Sequence, residues 1–292
     1  MTTTFPGGSA IGVAMKWVDL RPEIDHLSGA VHTDTRFSGA SGADQTALEI
    51  ALQLAELWKK EVVVVTAGPK ASEEMLRDAL GAGATRAVRI DIDPTTSSQN
   101  VALSLAETFK SHHIEMVICG DWSLDRGSGS VPAFLSNAMG FSQALGLVNV
   151  SPGDEPGTLN APATLNAQRR LDGGRRERLR IQVPAVISVE SGAARLRRAS
   201  LSSVLKAKQA TIEVGSASGS DGVANLTPTR VGPYRPRART LPPPSPTLTP
   251  RERVLALTGA LVERTPPQTL VLDAPAAATR ILDQLRTWGY LI

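Results

Sequence analysis

Short apolar runs and longer amphipathic segments alternate over the first 140 residues of the chain. Apolar runs at 11–15, 61–66 and 116–119 are typical of strands buried on both faces of a sheet, and residues 87–92 are predicted to form a further strand. Between them, apolar residues recur at helical spacing over 42–59, over a segment capped by Ser72, and over 100–111. This alternation predicts an α/β fold with a doubly wound parallel sheet.

The ends of these strands are the predicted binding region, because ligands on such sheets bind beyond the carboxyl ends of the strands. The last strand continues into a glycine-rich loop, Gly120 to Val131, that opens a helix. Gly127 and Gly129 allow backbone N–H groups to approach a ligand, and a helix N-terminus favours an anion. The loop therefore predicts a phosphate site, although an ordinary strand–loop–helix turn without a ligand fits the same glycine pattern.

The pattern changes after about residue 164. Two strand-like arms around Asp172, Gly173 and Gly174 predict a β-hairpin, followed by a strand at 184–188 and a short helix at 201–208. The Pro-, Ser-, Gly- and Arg-rich stretch 215–250 predicts a flexible linker. Residues 251–292 predict a helical tail, with helices over 249–264 and 274–288 and a strand at 269–272. Its apolar face has no place on the sheet, so we expect it to pack on a partner subunit.

Composition narrows the function classes. The 292 residues contain one cysteine, Cys119, which is expected to be a small core residue and which excludes a disulfide framework or a thiolate metal cluster. The four histidines show no metal-ligand spacing, so no metal site is expected. The sequence has no run of 18 apolar residues, and its first residues lack a basic segment followed by a long apolar segment. These features predict a cytoplasmic protein without membrane insertion.

Charge is unevenly distributed although the net charge is only +3. Residues 169–208 hold eleven Lys and Arg residues against three acidic residues, and no Phe, Tyr or Trp. Single-stranded nucleic acid recognition uses aromatic side chains for base stacking, so no nucleic acid partner is expected. An acidic protein partner or an anionic cofactor fits this region better.

Several motifs in a fixed order resemble the electron transfer flavoprotein β-subunit family. They are AMKWVD, ADQTALEIALQLAE, VVVVTAGPKASEEMLRDALGAGATRAV, CGDWSLDRGSGSV, RRLDGG, VPAVISVE and LSSVLKAK. The similarity covers about residues 9–214. It implies a Rossmann-like, adenine-nucleotide-binding fold of the HUP type, with a β-hairpin arm and an extended C-terminal tail. The Ala- and Arg-rich composition adds the hypothesis of a divergent member associated with the redox cofactor mycofactocin.

The resemblance implies a subunit of a heterodimeric electron carrier. Family members pair with an α-subunit and share with it the FAD that carries electrons from a dehydrogenase to an acceptor, and they hold AMP or a second FAD themselves. No catalytic residue is expected in this chain, because the flavin supplies the chemistry. By position, the resemblance implies that Arg169 and Arg170 tune the flavin and that Arg197, Arg198, Leu201 and Lys206 dock the partner. It implies cofactor contacts at Ala14, Ser41, Asp44, Ala67, Gly120, Trp122, Asp125, Arg126, Gly127, Ser128, Gly129, Ser130 and Val131.

The chain departs from the family pattern at its predicted nucleotide site and docking loop. Asp121 and Trp122 stand where the family usually has Lys and Gln, which removes a cation near the expected phosphates, and Arg126 is the residue that could compensate. Trp122 could stack on a ring or fill the pocket. Residues 194–198 replace the family's N-E-P-R-Y, and this change puts docking to acyl-CoA dehydrogenases in doubt.

Two alternatives from other function classes stay open at this stage. An altered loop is compatible with a nucleotide-binding or interaction protein that has kept the fold and holds little cofactor. Residues 41–44, Ser-Gly-Ala-Asp, also bear a weak likeness to the pyrophosphate loop of PP-loop enzymes that use ATP, but they lack its second glycine and its serine.

Overall fold

The computed structural model describes residues 10–25, 27–153, 163–217, 243–258, 269–288 and 290. The chain divides into two units, Met1–Tyr234 and Arg235–Ile292. Most of the predicted linker, 218–242, lies outside the described residues, as does the end of the first tail helix from residue 259.

The described strands lie in the first unit. In chain order they are β1 (Ala10–Ala14), β2 (Trp17–Asp19), β3 (Glu23–Ile24), β4 (Val31–His32), β5 (Ser38–Ala40), β6 (Glu61–Ala67), β7 (Arg86–Asp91), β8 (Met116–Gly120), β9 (Ser142–Pro152), β10 (Thr164–Arg170), β11 (Arg176–Gln182), β12 (Ala185–Val189) and β13 (Glu213–Ser216). The helices are α1 (Gly42–Trp58), α2 (Glu73–Ala82), α3 (Ser98–Ser111), α4 (Val131–Met139) and α5 (Leu201–Lys208), with α6 (Pro250–Thr258) and α7 (Ala274–Thr287) in the second unit.

A nine-stranded sheet in the order β11-β10-β9-β12-β8-β1-β6-β7-β13 forms the centre of the first unit. In this sheet order, the seven neighbouring strands β9, β12, β8, β1, β6, β7 and β13 pair in parallel. The hairpin β10–β11 adds two antiparallel strands at one edge. Helices α1 and α2 pack on one face and α3 and α4 on the other, each over a separate set of buried apolar residues. The predicted doubly wound parallel sheet is therefore confirmed.

Most of the predicted strands and helices form within a residue or two of their expected bounds, and the hairpin turns at Asp172–Gly174 as predicted. The prediction and the structure differ in three respects. Ser72 does not cap α2, because its own backbone is already helical and its hydroxyl donates to the Pro69 carbonyl at 2.7 Å. Residues 269–272 form no strand. Strands β9 and β13 and the short strands β3, β4 and β5 were not predicted.

The interior of the sheet is apolar and includes the single cysteine. Cys119 on β8 is 3% exposed, which confirms the prediction of a core residue. Burial, with a smaller contribution from the charge of Asp44, raises the pKa of its thiol above the usual range. The thiol therefore has little nucleophilic or metal-binding character.

The second unit contains α6 and α7, and neither helix holds a buried residue. On α7 and just after it, Ile281, Leu282 and Trp288 are exposed, and Leu285 is partly buried. Among the described residues, no helix has both the length and the apolar character needed to cross a bilayer.

Candidate functional site

The winding of the chain reverses between two neighbouring strands, β1 and β8. From β1 the chain proceeds through α1 to β6 and then β7 on one side, whereas from β8 it proceeds to β9 and β12 on the other. The crevice at the carboxyl ends of two such strands is the usual binding position in open α/β sheets. Ala14 and Gly120, which end β1 and β8, lie at this switch point, and the predicted Ala67 ends the next strand, β6.

The N-terminus of α1 closes one side of the switch point. The Ser41 hydroxyl accepts a hydrogen bond from the Asp44 amide at 3.2 Å and donates to the Asp44 carboxyl at 2.9 Å. A Cβ atom added at Gly120 would lie 2.8 Å from Asp44 Oδ1, so only glycine lets α1 approach this strand end so closely. Asp44 also accepts from the Lys16 backbone N–H at 3.5 Å, and it thereby contacts the segment that follows β1.

Asp44 is an acid in an unfavourable environment, because it is only 5% exposed. Burial raises its pKa to about 6, although hydrogen bonds from Ser41 and from the Lys16 backbone and the Lys16 charge oppose the rise. The carboxyl group is therefore a proton-binding group near neutral pH at the edge of the candidate site.

We expect this carboxyl to make the folded state less stable as the pH rises. Between an unfolded pKa of 3.8 and a folded pKa of about 6, the folded state binds more protons than the unfolded state, so stability falls with pH through this window. The substitution Asp44→Asn removes the titration, and the stability of this variant relative to wild type should increase by about 2 kcal/mol between pH 4 and pH 8. Urea denaturation of both proteins at the two pH values measures this difference, and a difference independent of pH would contradict the raised pKa.

The loop from Gly120 to Val131 spans the front of the switch point. Gly127 and Gly129 have φ of +62° and +56°, in the left-handed region that favours glycine. The backbone N–H groups of residues 128–131 donate no hydrogen bond to any described residue, and α4 begins with Pro132 near its first position. A row of free donors at a helix N-terminus is a suitable arrangement for an anion such as phosphate.

Charged side chains of both signs lie at the loop. Lys16, which sequence reasoning missed, donates from Nζ to Asp125 Oδ1 at 2.7 Å and Oδ2 at 2.6 Å. Arg126 does not face the free N–H groups, because it donates to the Pro94 carbonyl at 2.9 Å, in the loop before α3. The only signal for Lys16 was its place directly after the end of a predicted strand, residues 11–15.

Asp121 and Trp122 occupy the beginning of the loop. Asp121 Oδ1 is buried and has no hydrogen-bond partner among the described residues, so it is a free acceptor for a ligand N–H or O–H group. Burial raises the pKa of Asp121, and the neighbouring charge of Glu190 raises it further. Trp122 is 46% exposed, which leaves its ring open to stacking.

The two arginines of the hairpin arm are each held by an acid. Arg169 pairs with Glu177 on the opposite strand, and Arg170 pairs with Glu190, which directly follows β12. Neither arginine hydrogen-bonds to the glycine-rich loop. Glu190, the partner of Arg170, carries a charge that contributes to the raised pKa of Asp121 in that loop.

The predicted docking residues separate into two groups. Leu201 at the start of α5 is 75% exposed, and Leu205 one turn later is 54% exposed. Arg198 and Lys206 are also exposed. Arg197 instead lies against α1, where its guanidinium and backbone N–H donate to Glu49 at 3.0–3.1 Å and a further nitrogen contacts Glu56.

A groove of about 680 Å³ among the described residues does not coincide with the switch point. It lies beside β9, β11 and the start of β12, and Arg169 is the one predicted site residue that lines it. We place the candidate site at the switch point because the strand ends, the free N–H groups and the polar side chains converge there.

Comparison with known sequences gives one consistent result. The sequence model described as the electron transfer flavoprotein domain matches residues 32–219. The chain is 28% identical over 176 residues to the electron transfer flavoprotein subunit beta of Homo sapiens, a match that covers 58% of this chain and 65% of that protein. It is 29% identical over 184 residues to the protein of the same name from Syntrophomonas wolfei, covering 63% and 69%.

A third relative, Protein FixA of Rhizobium meliloti, is 30% identical over 183 residues, which cover 60% of each chain. The match to the first relatives, those of Dictyostelium discoideum and Homo sapiens, spans 65% of their length.

Proposed function

Because the chain belongs to the electron transfer flavoprotein β-subunit family, we propose that it is one half of a two-chain electron carrier. In this proposal an α-type subunit shares with it a FAD that moves electrons from a dehydrogenase to an acceptor. The chain itself holds an adenine nucleotide, either AMP or the ADP part of a second FAD. Flavin, when bound, supplies the redox chemistry, and this chain supplies position and electrostatic field.

One observation supports the nucleotide part above all others. The free N–H groups of residues 128–131 lie in the loop that leaves Gly120 at the switch point, where Ala14 also ends its strand. The phosphates would bind these N–H groups, and the adenine would lie near Ala14 and Ala67. Trp122 and the free Asp121 Oδ1 offer stacking and a hydrogen-bond acceptor to the rest of the ligand.

The proposal is tested by co-expressing the full chain with an α-type subunit and purifying the product. We expect a heterodimer in size-exclusion chromatography, flavin bands in the visible spectrum, and an adenine nucleotide after acid extraction. A monomer that ignores the α-type subunit and releases no adenine nucleotide would overturn the proposal, and it would favour an interaction protein of the same fold.

We also propose that α5 docks the electron donor. Leu201 is an exposed leucine with cationic neighbours at Arg198 and Lys206, a combination that suits insertion into an apolar pocket with charged residues at the rim. Arg197 is assigned a structural role, because its guanidinium is held by Glu49 and Glu56.

Replacing Leu201 by alanine should slow flavin reduction by the physiological donor about tenfold, because an anchor residue carries much of the docking energy. Flavin content should stay unchanged. Leu57→Ala, at a leucine of similar exposure on α1, is the matched control. Stopped-flow absorbance measures both rates, and equal rates for the two variants at low ionic strength would show that α5 does not dock the donor.

A further inference from the structure

Lys16 joins three parts of the candidate site. Its backbone N–H contacts the Asp44 carboxyl at the start of α1, and its position after β1 places it at the switch point. Its ammonium group contacts both carboxylate oxygens of Asp125, at 2.7 and 2.6 Å, and the Ser123 hydroxyl at 3.4 Å. One side chain therefore holds the glycine-rich loop against the end of β1.

The contacts of Lys16 leave it little capacity to bind a phosphate directly. An ammonium group has three N–H donors, and three oxygen atoms of the loop already accept from it. Burial of Asp125 raises the pKa of its carboxyl, but the hydrogen bond and charge of Lys16 lower it below its usual value, so Asp125 is held as a carboxylate.

Arg126, the residue after Asp125, attaches the opposite side of the loop. Arg126 donates to the Pro94 carbonyl at 2.9 Å and to the Ser98 hydroxyl at 3.5 Å, both in or beside the N-terminus of α3. Adjacent residues thus attach the loop to elements on two sides of the switch point. The free N–H groups of residues 128–131 follow directly after this double attachment.

We propose that Lys16 is a positioning residue that holds the loop, through Asp125 and Ser123, in the conformation that presents the N–H groups of residues 128–131 to phosphate. This inference rests on the proposed nucleotide-binding function. A loop fixed before binding loses less conformational entropy when the ligand arrives, so the attachment should increase affinity without contacting the ligand.

The test uses the full-length protein, purified with its α-type subunit if the two associate, and AMP as the probe. The variants are Lys16→Met, Lys16→Arg, Asp125→Asn and the double variant Lys16→Met/Asp125→Asn, with Lys59→Met at the exposed end of α1 as the control. Hydrogen exchange of residues 121–130 without nucleotide reports the attachment, and calorimetric titration with AMP reports the affinity.

We expect Lys16→Met to accelerate exchange in the loop and to raise the Kd for AMP about three- to tenfold, a modest effect because both partners are partly exposed. Lys16→Arg should restore most of both properties. The double variant should be no worse than Lys16→Met alone, because the two residues act through one contact.

The outcomes separate this inference from the proposed function. If wild type takes up no AMP and contains no adenine nucleotide, the nucleotide proposal fails, and loop exchange still decides whether Lys16 holds the loop. If wild type binds AMP and Lys16→Met binds it equally well, the positioning role is wrong. Unchanged loop exchange in Lys16→Met would also overturn it.

Discussion

Replacing Arg197 by methionine should lower the free energy of unfolding by about 3 kcal/mol or more. Glu49 on α1 is 4% exposed and receives three hydrogen bonds from Arg197. Although burial raises the pKa of Glu49, the hydrogen bonds from Arg197 and Gln53 lower it below the usual value, so Glu49 is held as an anion. Without the guanidinium, this buried anion loses most of its compensation. Urea denaturation at pH 7 measures the change.

Arg198 provides the matched control, since it is exposed and adjacent in sequence. Arg198→Met should change stability by no more than about 0.5 kcal/mol. If the two methionine variants are equally stable, the contact between the loop before α5 and α1 contributes nothing measurable. A docking defect measured in an Arg197 variant would have to be corrected for this loss of stability.

Replacing Gly129 by valine should abolish adenine nucleotide binding. A Cβ atom at this position would lie 2.4 Å from the Asp121 carbonyl oxygen, a backbone atom that cannot rotate away. The backbone φ of +56° is unfavourable for a β-branched residue as well. The loop must rearrange, and this would displace the N–H groups on either side of Gly129. Nucleotide analysis of the purified complex and titration with AMP measure the loss.

Gly127→Val is the comparison that isolates the collision. Both glycines have a left-handed backbone, but a Cβ atom at Gly127 would meet no atom within 4 Å. We therefore expect Gly127→Val to weaken binding by much less than Gly129→Val, whereas the glycine pattern alone gives the two positions equal importance. Equal losses would indicate that backbone strain, and not the contact with Asp121, controls the loop.

The part of the fold that sequence predicts best is the part in which burial on both faces dictates residue type. β1, β6 and β8 are largely apolar runs, and their helices carry a clear apolar face. β7 is buried over its four central residues although one of them is Arg89. β9 is harder to recognise, because only Ala144 and Leu147 of its eleven residues are buried and it contains Gly146 with φ of +69°. β13 is a four-residue edge strand with largely exposed side chains, and its sequence resembles that of a loop.

The site was predictable where backbone geometry defines it and unpredictable where distant side chains meet. Gly127, Gly129 and the strand ends follow from local sequence, because glycine at a strand–helix junction has a direct conformational meaning. The contact of Lys16 with Asp125 joins positions 109 residues apart, and that of Arg197 with Glu49 joins positions 148 apart. In the sequence, Glu49 and Glu56 are indistinguishable from the solvated face of an amphipathic helix.

The burial of Cys119 has a practical consequence for work on this protein. It is the only cysteine of the chain, and both its 3% exposure and the raised pKa of its thiol protect it from alkylation in the folded state. Thiol-directed fluorophores or spin labels should therefore find almost no background on the native chain. A cysteine introduced at the exposed Ser128 would then carry the only reactive label and report on the glycine-rich loop in solution.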